Sequence, residues 1–362
     1  MKLAMMSPWN VACGVSVHAE LIGREWIGAG HNLKIFAPLD KEKLPTAKDE
    51  PFVNRCYFRG RDFQGGLKKL WFDPEPLLNS DFHFFVAQNL ELLPIRGLSK
   101  IFPQIREKSR TILVIHEGYK KCLTAKKYQD CCWDAIVCFD ERYKTEFSQL
   151  FPAEKIHLIP YPAHPLSFGD KKEPRRNLEL PLEKKIILTY GITFQQHLAV
   201  LPEIAKLTRF FPIIYLLLAH ETPVKVLNKV KKKYDFVTIR EGAYSIDELY
   251  GYLHAADVLL LHKGAPGGLA VSSSIYLCLG SGCPIAIYAG RYTEDLGEEV
   301  FKYRNLNELE SLLIRIFEGV KPNLKAADKF LTERGSPEVA SSFCRLFTNL
   351  SRENERKTKK AR

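Results

Sequence analysis

One segment of the chain combines residue types that suit the binding of an anion. Residues 264–274, GAPGGLAVSSS, lead into an apolar run with helical spacing. Ser272, Ser273 and Ser274 offer hydroxyl and backbone N–H groups at the predicted helix start, and Lys263 adds a cation just upstream. A phosphate or diphosphate suits this combination, and an ordinary capped helix after a flexible loop is the alternative.

Glycines mark three places where the backbone could approach such a ligand. Gly14 follows the first predicted strand, Gly191 follows a strand in the second half of the chain, and Gly268 lies in the serine segment. Glycine permits close approach because it lacks a Cβ, and a helix start adds partial positive charge at such turns. The polar run after Gly191, which ends at His197, could line a nucleotide pocket, although polar residues are common in turns.

His116 and Glu117 end a buried apolar strand in the segment ILVIHEGYKK. A polar pair at a strand end is expected to face a cleft instead of the core. There the histidine could hydrogen-bond a substrate or move a proton, with a pKa near neutrality. A loop histidine with satisfied hydrogen bonds is the alternative. His18, one turn into the first helix, is predicted to be a surface or packed residue.

The elements that must position these residues alternate along the chain. Short apolar runs predict strands that are covered on both faces, and the segments between them predict helices. The first helix is predicted to have Ser16 as its N-cap and to end at Gly30, and residues 198–210 are predicted to form one helix. The predicted strands are residues 3–6, 33–36, 82–87, 111–115, 135–139, 186–190, 213–219, 237–240, 258–261 and 285–288. This order predicts an α/β fold with two Rossmann-like domains that face each other across a cleft.

The domain boundary is expected where a strand runs into the proline pair of IHLIPYP and a polar stretch follows. The predicted domains are residues 1–162 and 163–335. Residues 336–350 are predicted to form a helix that packs back toward the first domain. Residues 351–362 hold six basic and two acidic side chains and are predicted to be a disordered tail.

The composition is that of an ordinary globular protein. Of 362 residues, 46% are hydrophobic and 26% charged, which excludes collagen-like, mucin-like and disordered classes. No apolar run reaches the roughly 18 residues of a membrane-spanning helix, and the first ten residues do not resemble a signal peptide. Nine cysteines without C-x-x-C pairs suit a reducing compartment and predict no metal site. We therefore expect a soluble, cytoplasmic protein.

The net charge of +11 limits the classes of partner. No nucleic-acid-binding motif is visible, so an acidic small substrate or an anionic membrane is the expected partner. Residues 58–78, FRGRDFQGGLKKLWFDPEPLL, mix basic and aromatic side chains and predict a peripheral membrane anchor. The alternative is a loop and helix packed on the first domain, with Trp71 and Phe72 in its core.

The order of motifs resembles the GT-B glycosyltransferases of the retaining, metal-independent group. The similar segments are the opening strand and glycine loop, GHNLKIFAP, IHEG, EKIHLIPYP, DELYGYLHAADVLLLHKG and SSSIYLCLGSGCPIAIYAG. The resemblance spans nearly the whole chain. It implies a GT-B fold with an acceptor-side domain over residues 1–162 and a nucleotide-sugar-binding domain over residues 163–335.

The resemblance also implies an activity. A sugar would pass from a nucleotide-diphosphate sugar to a glycan or lipid-linked acceptor, with retention, as in hexosyltransferases. No cofactor beyond the donor and no metal are implied. His116 would contact the sugar as the catalytic residue. The residues implied to bind the donor are Gly14, Gly191, His197, Lys263, Gly268, Ser272, Ser273 and Ser274.

The chain departs from that group at two acidic positions. Better-known members carry two glutamates eight residues apart, and counting back from Gly282 places these positions at Leu269 and Leu277. Leucine can neither bind ribose hydroxyls nor position a sugar. The alternative is therefore a catalytically inactive GT-B protein that serves as a binding or partner subunit. A nucleotide-sugar epimerase on the same fold is a third possibility.

Overall fold

Strands and helices alternate along the chain in the computed structural model, which describes residues 1–39, 45–58, 71–118, 131–191, 194–219, 224–264 and 269–361. The strands are β1 (Lys2–Met6), β2 (Asn32–Pro38), β3 (Val53–Tyr57), β4 (Phe84–Gln88), β5 (Arg110–Val114), β6 (Glu117–Gly118), β7 (Ala135–Cys138), β8 (Ile156–Leu158), β9 (Lys185–Tyr190), β10 (Ile213–Ala219), β11 (Val237–Glu241), β12 (Val258–Leu261), β13 (Leu269–Ala270), β14 (Ile285–Tyr288) and β15 (Phe301–Tyr303). Every strand predicted from an apolar run is present, since helices can cover such a run on both faces.

The helices of the described residues occupy the segments between these strands and the end of the chain. They are α1 (Gly14–Gly28), α2 (Glu75–Leu78), α3 (Ile95–Lys108), α4 (Glu141–Phe147), α5 (Lys172–Asn177), α6 (Phe194–Leu198), α7 (Leu201–Leu207), α8 (Val224–Lys233), α9 (Ile246–Ala255), α10 (Ser273–Leu279), α11 (Leu306–Phe317), α12 (Leu324–Arg334) and α13 (Ser336–Ala361). None of them combines the length and the apolar character that crossing a bilayer requires.

The first of two compact units contains Met1–Pro162, strand β13 and helix α13. Its seven-stranded parallel sheet has the order β3-β2-β1-β4-β5-β7-β8. All five side chains of β4 are buried, as expected for a strand between two helical layers. Outside this sheet, β13 pairs antiparallel with β6, and Leu269 lies opposite Gly118.

The second unit contains the described residues from Ala163 to Gly264 and from Val271 to Gly335. Its six-stranded parallel sheet has the order β11-β10-β9-β12-β14-β15. Ile187 and Leu260 of the central strands are completely buried, and Leu313 of α11 belongs to the same hydrophobic cluster. The cluster fixes the strands, and the strands in turn fix the loops that follow them.

The end of helix α1 was predicted correctly from the sequence, but its start was not. Its N-cap is Cys13, whereas the sequence predicted Ser16. The Ser16 hydroxyl lies inside the helix and donates to Glu20 Oε1 at 2.7 Å, so the predicted capping role is wrong. The predicted end is confirmed. Gly30 adopts φ +80°, a left-handed conformation typical of glycine after a helix.

Two helices occupy the segment 198–210, where the sequence predicted one. Helix α6 ends at Leu198, and α7 begins at Leu201 with Pro202 in its first turn. Proline has no N–H to donate to the preceding turn, so it starts a helix more readily than it continues one.

Helix α13 packs against α1 within the first unit. Trp26 Nε1 donates to the carbonyl of Ala340 at 3.1 Å, and its ring meets those of Phe343 and Phe347 at 5.6 and 5.5 Å. The helix continues to Ala361, which corrects the prediction of disorder from residue 351. Arg, Lys and Glu are good helix formers, and the segment holds no Gly or Pro that would end the helix.

The predicted membrane anchor falls largely outside the described residues, since residues 59–70 lie there. At its described end, Trp71 is 43% exposed and meets the ring of Phe58 at 5.8 Å. Phe72 packs against α3, where a Cβ on Gly97 would lie only 2.6 Å from its ring. Phe72 is therefore part of the packed first unit, as the alternative for this segment expected, while Trp71 is exposed.

Candidate functional site

The chain reverses direction across the second sheet between β9 and β12. From β9 it runs to one side as far as β11, and it then returns to the other side of β9 at β12. Because β9 and β12 are parallel neighbours, their carboxyl ends lie together, and Gly191 and Lys263 follow them. Ligands of open α/β sheets bind just beyond the strand ends at such a reversal.

The ammonium group of Lys263 is held by two serine hydroxyls. Its Nζ donates to Ser272 Oγ and to Ser274 Oγ, each at 3.1 Å. Burial lowers the pKa of Lys263 to about 8, so most molecules carry the charge at neutral pH. Among the described residues no carboxylate pairs with this ammonium. A charge removed from water without a counter-charge is costly, and the site is therefore suited to an anionic ligand.

The three serines at the start of α10 do not share one role. Ser272 occupies the N-cap position, but its side chain makes no capping hydrogen bond, which corrects the predicted cap. The hydroxyls of Ser272 and Ser274 are both buried and both accept from Lys263. Ser273 makes no such contact. Two of the three predicted serines therefore contact Lys263.

Three polar side chains converge on the space beside Gly191. A Cβ at this glycine would lie 3.4 Å from Ser274 Oγ, 3.9 Å from His197 Nε2 and 3.9 Å from Lys263 Nζ. Gly191 also adopts φ +127°, a conformation that residues with a side chain rarely adopt. The structure therefore brings together four of the residues predicted from the sequence, and it requires glycine at their centre.

His197 is completely buried. Its Nδ1 accepts the backbone N–H of His262 at 3.2 Å, so the proton is on Nε2, the nitrogen nearest Gly191. Burial lowers the pKa of His197 to about 3. At neutral pH the ring is an uncharged hydrogen-bond donor.

The neighbouring Gln196 accepts from the N–H of Gly264 at 2.8 Å. It thereby connects α6 to the segment that follows β12.

Three further positions of the second domain were singled out from the sequence. They are Gly268 and the two leucines that replace glutamates, Leu269 and Leu277. Gly268 lies outside the described residues. Leu269 begins β13, and Leu277, at the position of the second glutamate in the resembling group, is buried in α10 with 2% exposure. No acidic side chain takes either place. Among the described residues, no group of three or more His, Cys, Asp and Glu side chains could hold a metal ion.

Replacing Gly191 by alanine is expected to block this space. The Cβ would displace a ligand from the three polar groups, and the backbone strain should cost about 1–3 kcal/mol of unfolding free energy. Binding of pyrophosphate, followed by titration calorimetry, should weaken at least about tenfold, equivalent to roughly 1.4 kcal/mol. Gly251→Ala is the matched control, since a Cβ on that helical glycine meets no atom within 4 Å. Parent-like binding by Gly191→Ala would place the anion elsewhere.

In the first unit, His116 is buried with 6% exposure and packs edge-on against the rings of His18 and Phe139, at 4.8 and 5.0 Å. Its Nε2–H donates to Gln88 Oε1 at 2.8 Å. Burial lowers the pKa of His116 to about 3. The expected pKa near neutrality and the expected position outside the core are therefore wrong. At neutral pH this histidine can form hydrogen bonds, but it does not exchange protons readily.

Sequence analysis missed Gln88. It ends β4, which lies beside β1 at the reversal point of the first sheet, and it is completely buried. Because its amide oxygen accepts from His116 Nε2, the histidine keeps its proton there and Nδ1 remains an acceptor. The available signal was a single polar residue at the end of the apolar run FFVAQ.

His18 is packed in the core, one of the two positions that the sequence allowed. Neither ring nitrogen has a hydrogen-bond partner among the described residues. Burial and the neighbouring His116 lower the pKa of His18 well below its usual value. The first unit thus contains two adjacent histidines that are both neutral at neutral pH.

Gly14 is the first residue of α1, and its carbonyl accepts from the hydroxyl of Tyr161 at 2.7 Å. The loop before it is fixed by the buried Glu20, which accepts from the N–H of Asn10 at 3.1 Å and from Ser16 at 2.7 Å. Burial raises the pKa of this carboxyl group. Asn10 adopts φ +53°, so the loop has a defined and unusual conformation.

The two sheets have one topology, in which the first strand of each lies beside its second and fourth, the strand order of Rossmann-like domains. Two such domains in one chain are the GT-B fold that the sequence predicted. No protein-family model matches the chain.

Solved structures of glycosyltransferases have the same fold. Sucrose-phosphate synthase from Thermosynechococcus elongatus aligns with a TM-score of 0.67 and 15% identity, over 98% of this chain and 100% of that one. The catalytic domain of starch synthase IV from Arabidopsis thaliana, bound to ADP and acarbose, gives 0.64 and 10% over 96% and 99%. The pneumococcal O-GlcNAc transferase GtfA, in complex with UDP and GlcNAc, gives 0.62 and 9% over 97% and 99%. At these identities the likeness establishes the fold.

Proposed function

We propose that the protein is a glycosyltransferase that moves a sugar from a nucleotide-diphosphate sugar to an acceptor, with retention and without a metal. The observation that carries the proposal is the partly buried ammonium of Lys263, which has two serine hydroxyls and no carboxylate as partners among the described residues. A diphosphate would supply the missing negative charge. Two of the solved structures with this fold contain ADP or UDP, which supports a nucleoside diphosphate as the ligand.

The proposed donor contacts follow from the geometry beside Gly191. Lys263 would neutralise part of the diphosphate charge, while Ser274 and His197 would donate hydrogen bonds as uncharged groups. Because these donors are already oriented by the fold, they would stabilise the charge that develops on the departing diphosphate without reorganising. Electrostatic stabilisation is the catalytic contribution proposed for these residues.

The proposed role of the first domain is to contact the sugar. His116 is the catalytic candidate there, as a neutral group whose Nδ1 can accept a hydrogen bond from a sugar hydroxyl. Gln88 would act as a positioning residue through His116. Gly14 would offer backbone contacts at the start of α1. The proposed acceptor is a glycan or a lipid-linked sugar.

The serine contacts provide a test with an internal control. Ser272→Ala combined with Ser274→Ala removes both hydroxyl partners of Lys263, so nucleotide binding should weaken by about 1–3 kcal/mol. Ser273→Ala should bind like the parent, because this side chain does not contact Lys263. Thermal-shift and calorimetric titrations with UDP, GDP and ADP would measure nucleotide binding by the double variant and by Ser273→Ala. Equal binding by the parent and the double variant would remove the serines from the site.

The second candidate is a GT-B protein that binds a nucleotide sugar without transferring it, as a partner subunit. The observation that favours it is the buried Leu277, which leaves no carboxylate at a position where better-known members of the resembling group carry glutamate. Nucleotide binding together with a lack of sugar release from every bound donor would favour this candidate. Turnover that is lost in Lys263→Met would favour the transferase.

A further inference from the structure

The exposed apolar side chains of the second unit are concentrated at one edge of its sheet. The amino ends of parallel strands share an edge, which lies opposite the edge carrying Gly191 and Lys263. Among the described residues, the large apolar side chains of this unit that are exposed are Leu166, Phe168, Leu182, Phe210 and Leu324. Leu182 and Phe210 each lie three residues before a strand, β9 and β10, and are 47% and 73% exposed.

The other three exposed apolar side chains line two adjoining grooves in front of β14. They are Leu166, Phe168 and Leu324. The larger groove has a volume of about 420 Å³ and the smaller about 270 Å³. Phe168 lines both grooves and is 66% exposed, and its ring lies against Gly282, where a Cβ would come within 2.7 Å. Leu324 lines both grooves and Leu166 the smaller one. All five side chains therefore belong to the same edge, which we call the basal edge.

Cations accompany these apolar groups. The segments 182–185, 209–212 and 231–236 lie at the amino ends of the neighbouring strands β9, β10 and β11, and together they hold six basic and two acidic side chains. Five of the six are exposed and have no ion-pair partner among the described residues. These five are Lys184, Arg209, Lys231, Lys232 and Lys233. The larger groove adds Lys171 and Lys321 to its lining, and Asp257 in the same lining pairs with Lys171 at 2.8 Å and with Arg175 at 2.7 Å.

We propose that the basal edge is a docking surface for an anionic lipid bilayer. Apolar side chains at the tips of loops can enter the headgroup region, and unpaired cations beside them can meet anionic lipid. The core of a protein interface is instead depleted of charged residues, whereas here cations stand between the apolar groups. A fluid bilayer also requires no fixed shape from separate loops. The surface is distinct from the segment 58–78 and from the carboxyl-terminal helix.

Sedimentation of the full-length protein with vesicles tests the proposal. The parent should bind phosphatidylcholine vesicles that contain phosphatidylserine and should bind pure phosphatidylcholine weakly. Binding should decrease at high salt, because screening weakens the attraction of exposed charges. The combined variant Lys231→Gln, Lys232→Gln and Lys233→Gln should bind at least tenfold more weakly, since each cation near an anionic surface contributes about fivefold. The double variant Phe168→Ser and Phe210→Ser should lose the binding that persists at high salt.

Matched controls separate this surface from the rest of the chain. Lys48→Gln, Arg96→Gln and Lys100→Gln together remove the same charge from exposed positions of the first unit, and Ile27→Ser removes an exposed apolar side chain there. Both controls should bind like the parent. The altered side chains are exposed, so melting temperatures should stay within a few degrees of the parent's value.

Three outcomes would overturn the proposal. The parent could remain in the supernatant with anionic vesicles at low salt. The lysine and phenylalanine variants could bind as the parent does, which would assign membrane binding to another segment. Finally, the variants could change the sedimentation of the protein alone, which would identify the basal edge as a contact between protein molecules.

Discussion

Replacing Lys263 by methionine should abolish most nucleotide binding while leaving the protein at least as stable as the parent. The variant loses a charged hydrogen-bond donor, and we expect a loss of about 1.5–3 kcal/mol in binding free energy, roughly ten- to hundredfold in Kd. Methionine fills a similar volume and removes a poorly solvated charge that lacks a carboxylate partner among the described residues. The free energy of unfolding should therefore stay constant or increase. Titration calorimetry and denaturant unfolding would measure the two quantities.

Lys185→Met is the matched control, because Lys185 is the first residue of β9, at the opposite edge of the same sheet, and donates to the carbonyl of Phe317 at 2.9 Å. This control should not change nucleotide affinity. The pH dependence of nucleotide affinity provides an independent test. Since the pKa of Lys263 is about 8, parent affinity should fall as the pH rises from 7 to 9, and the fall should be absent in Lys263→Met. A destabilised Lys263→Met with parent-like affinity would make this lysine a structural residue.

Acid should destabilise the first unit through its buried histidines. The pKa of His116 in the folded state is about 3, below the value of about 6.5 for an unfolded chain, so the unfolded state takes up the proton first. Stability is therefore complete above about pH 6.5 and is lost as the pH falls from there toward 3. Between pH 7 and pH 5, His116 alone should cost about 2 kcal/mol of unfolding free energy. The pKa of His18 is lowered in the same direction and adds to the loss.

Denaturant midpoints at pH 7, 6 and 5 would measure this effect. His116→Gln should be less stable than the parent at pH 7, because it disturbs a buried cluster, and its stability should depend less on pH. His83→Gln is the matched control, since it makes the same replacement at an exposed histidine of the same unit. His197, whose pKa is also about 3, should give a similar acid response in the second unit. A pH dependence that is identical in His116→Gln and in the parent would contradict a neutral, buried His116.

The local pattern of apolar and polar residues was sufficient to predict the fold. Each central strand is an apolar run such as residues 258–261 or 285–288, and hydrophobic side chains on both faces are possible only between two helical layers. The order of these runs along the chain then specified two doubly wound sheets. Errors occurred where one residue changes a local preference, as at Pro202, which starts a new helix, and at Ser16, which bonds to Glu20 and does not cap α1.

The sequence by itself placed Lys263 near the serines, because the segment is short and follows a strand. It also placed glycine after β9. What it could not supply was the side-chain environment, since that depends on segments far apart in the chain. The convergence of His197, Ser274 and Lys263 on Gly191 joins separate segments of the chain, two of which are helix starts. The proton position on His197 is set by the N–H of His262, 65 residues away.

The same limit explains His116, the residue for which sequence reasoning was least successful. A polar residue after an apolar strand was expected to face outward. The tertiary structure instead covers it with His18 and Phe139 and provides Gln88, 28 residues away, as its hydrogen-bond partner. Apolar periodicity is a local property, so the sequence alone determined the two Rossmann-like domains and the loops that carry the candidate site. Burial, protonation and hydrogen-bond partners arise from the packing of distant segments, and for that reason only the tertiary structure decided them.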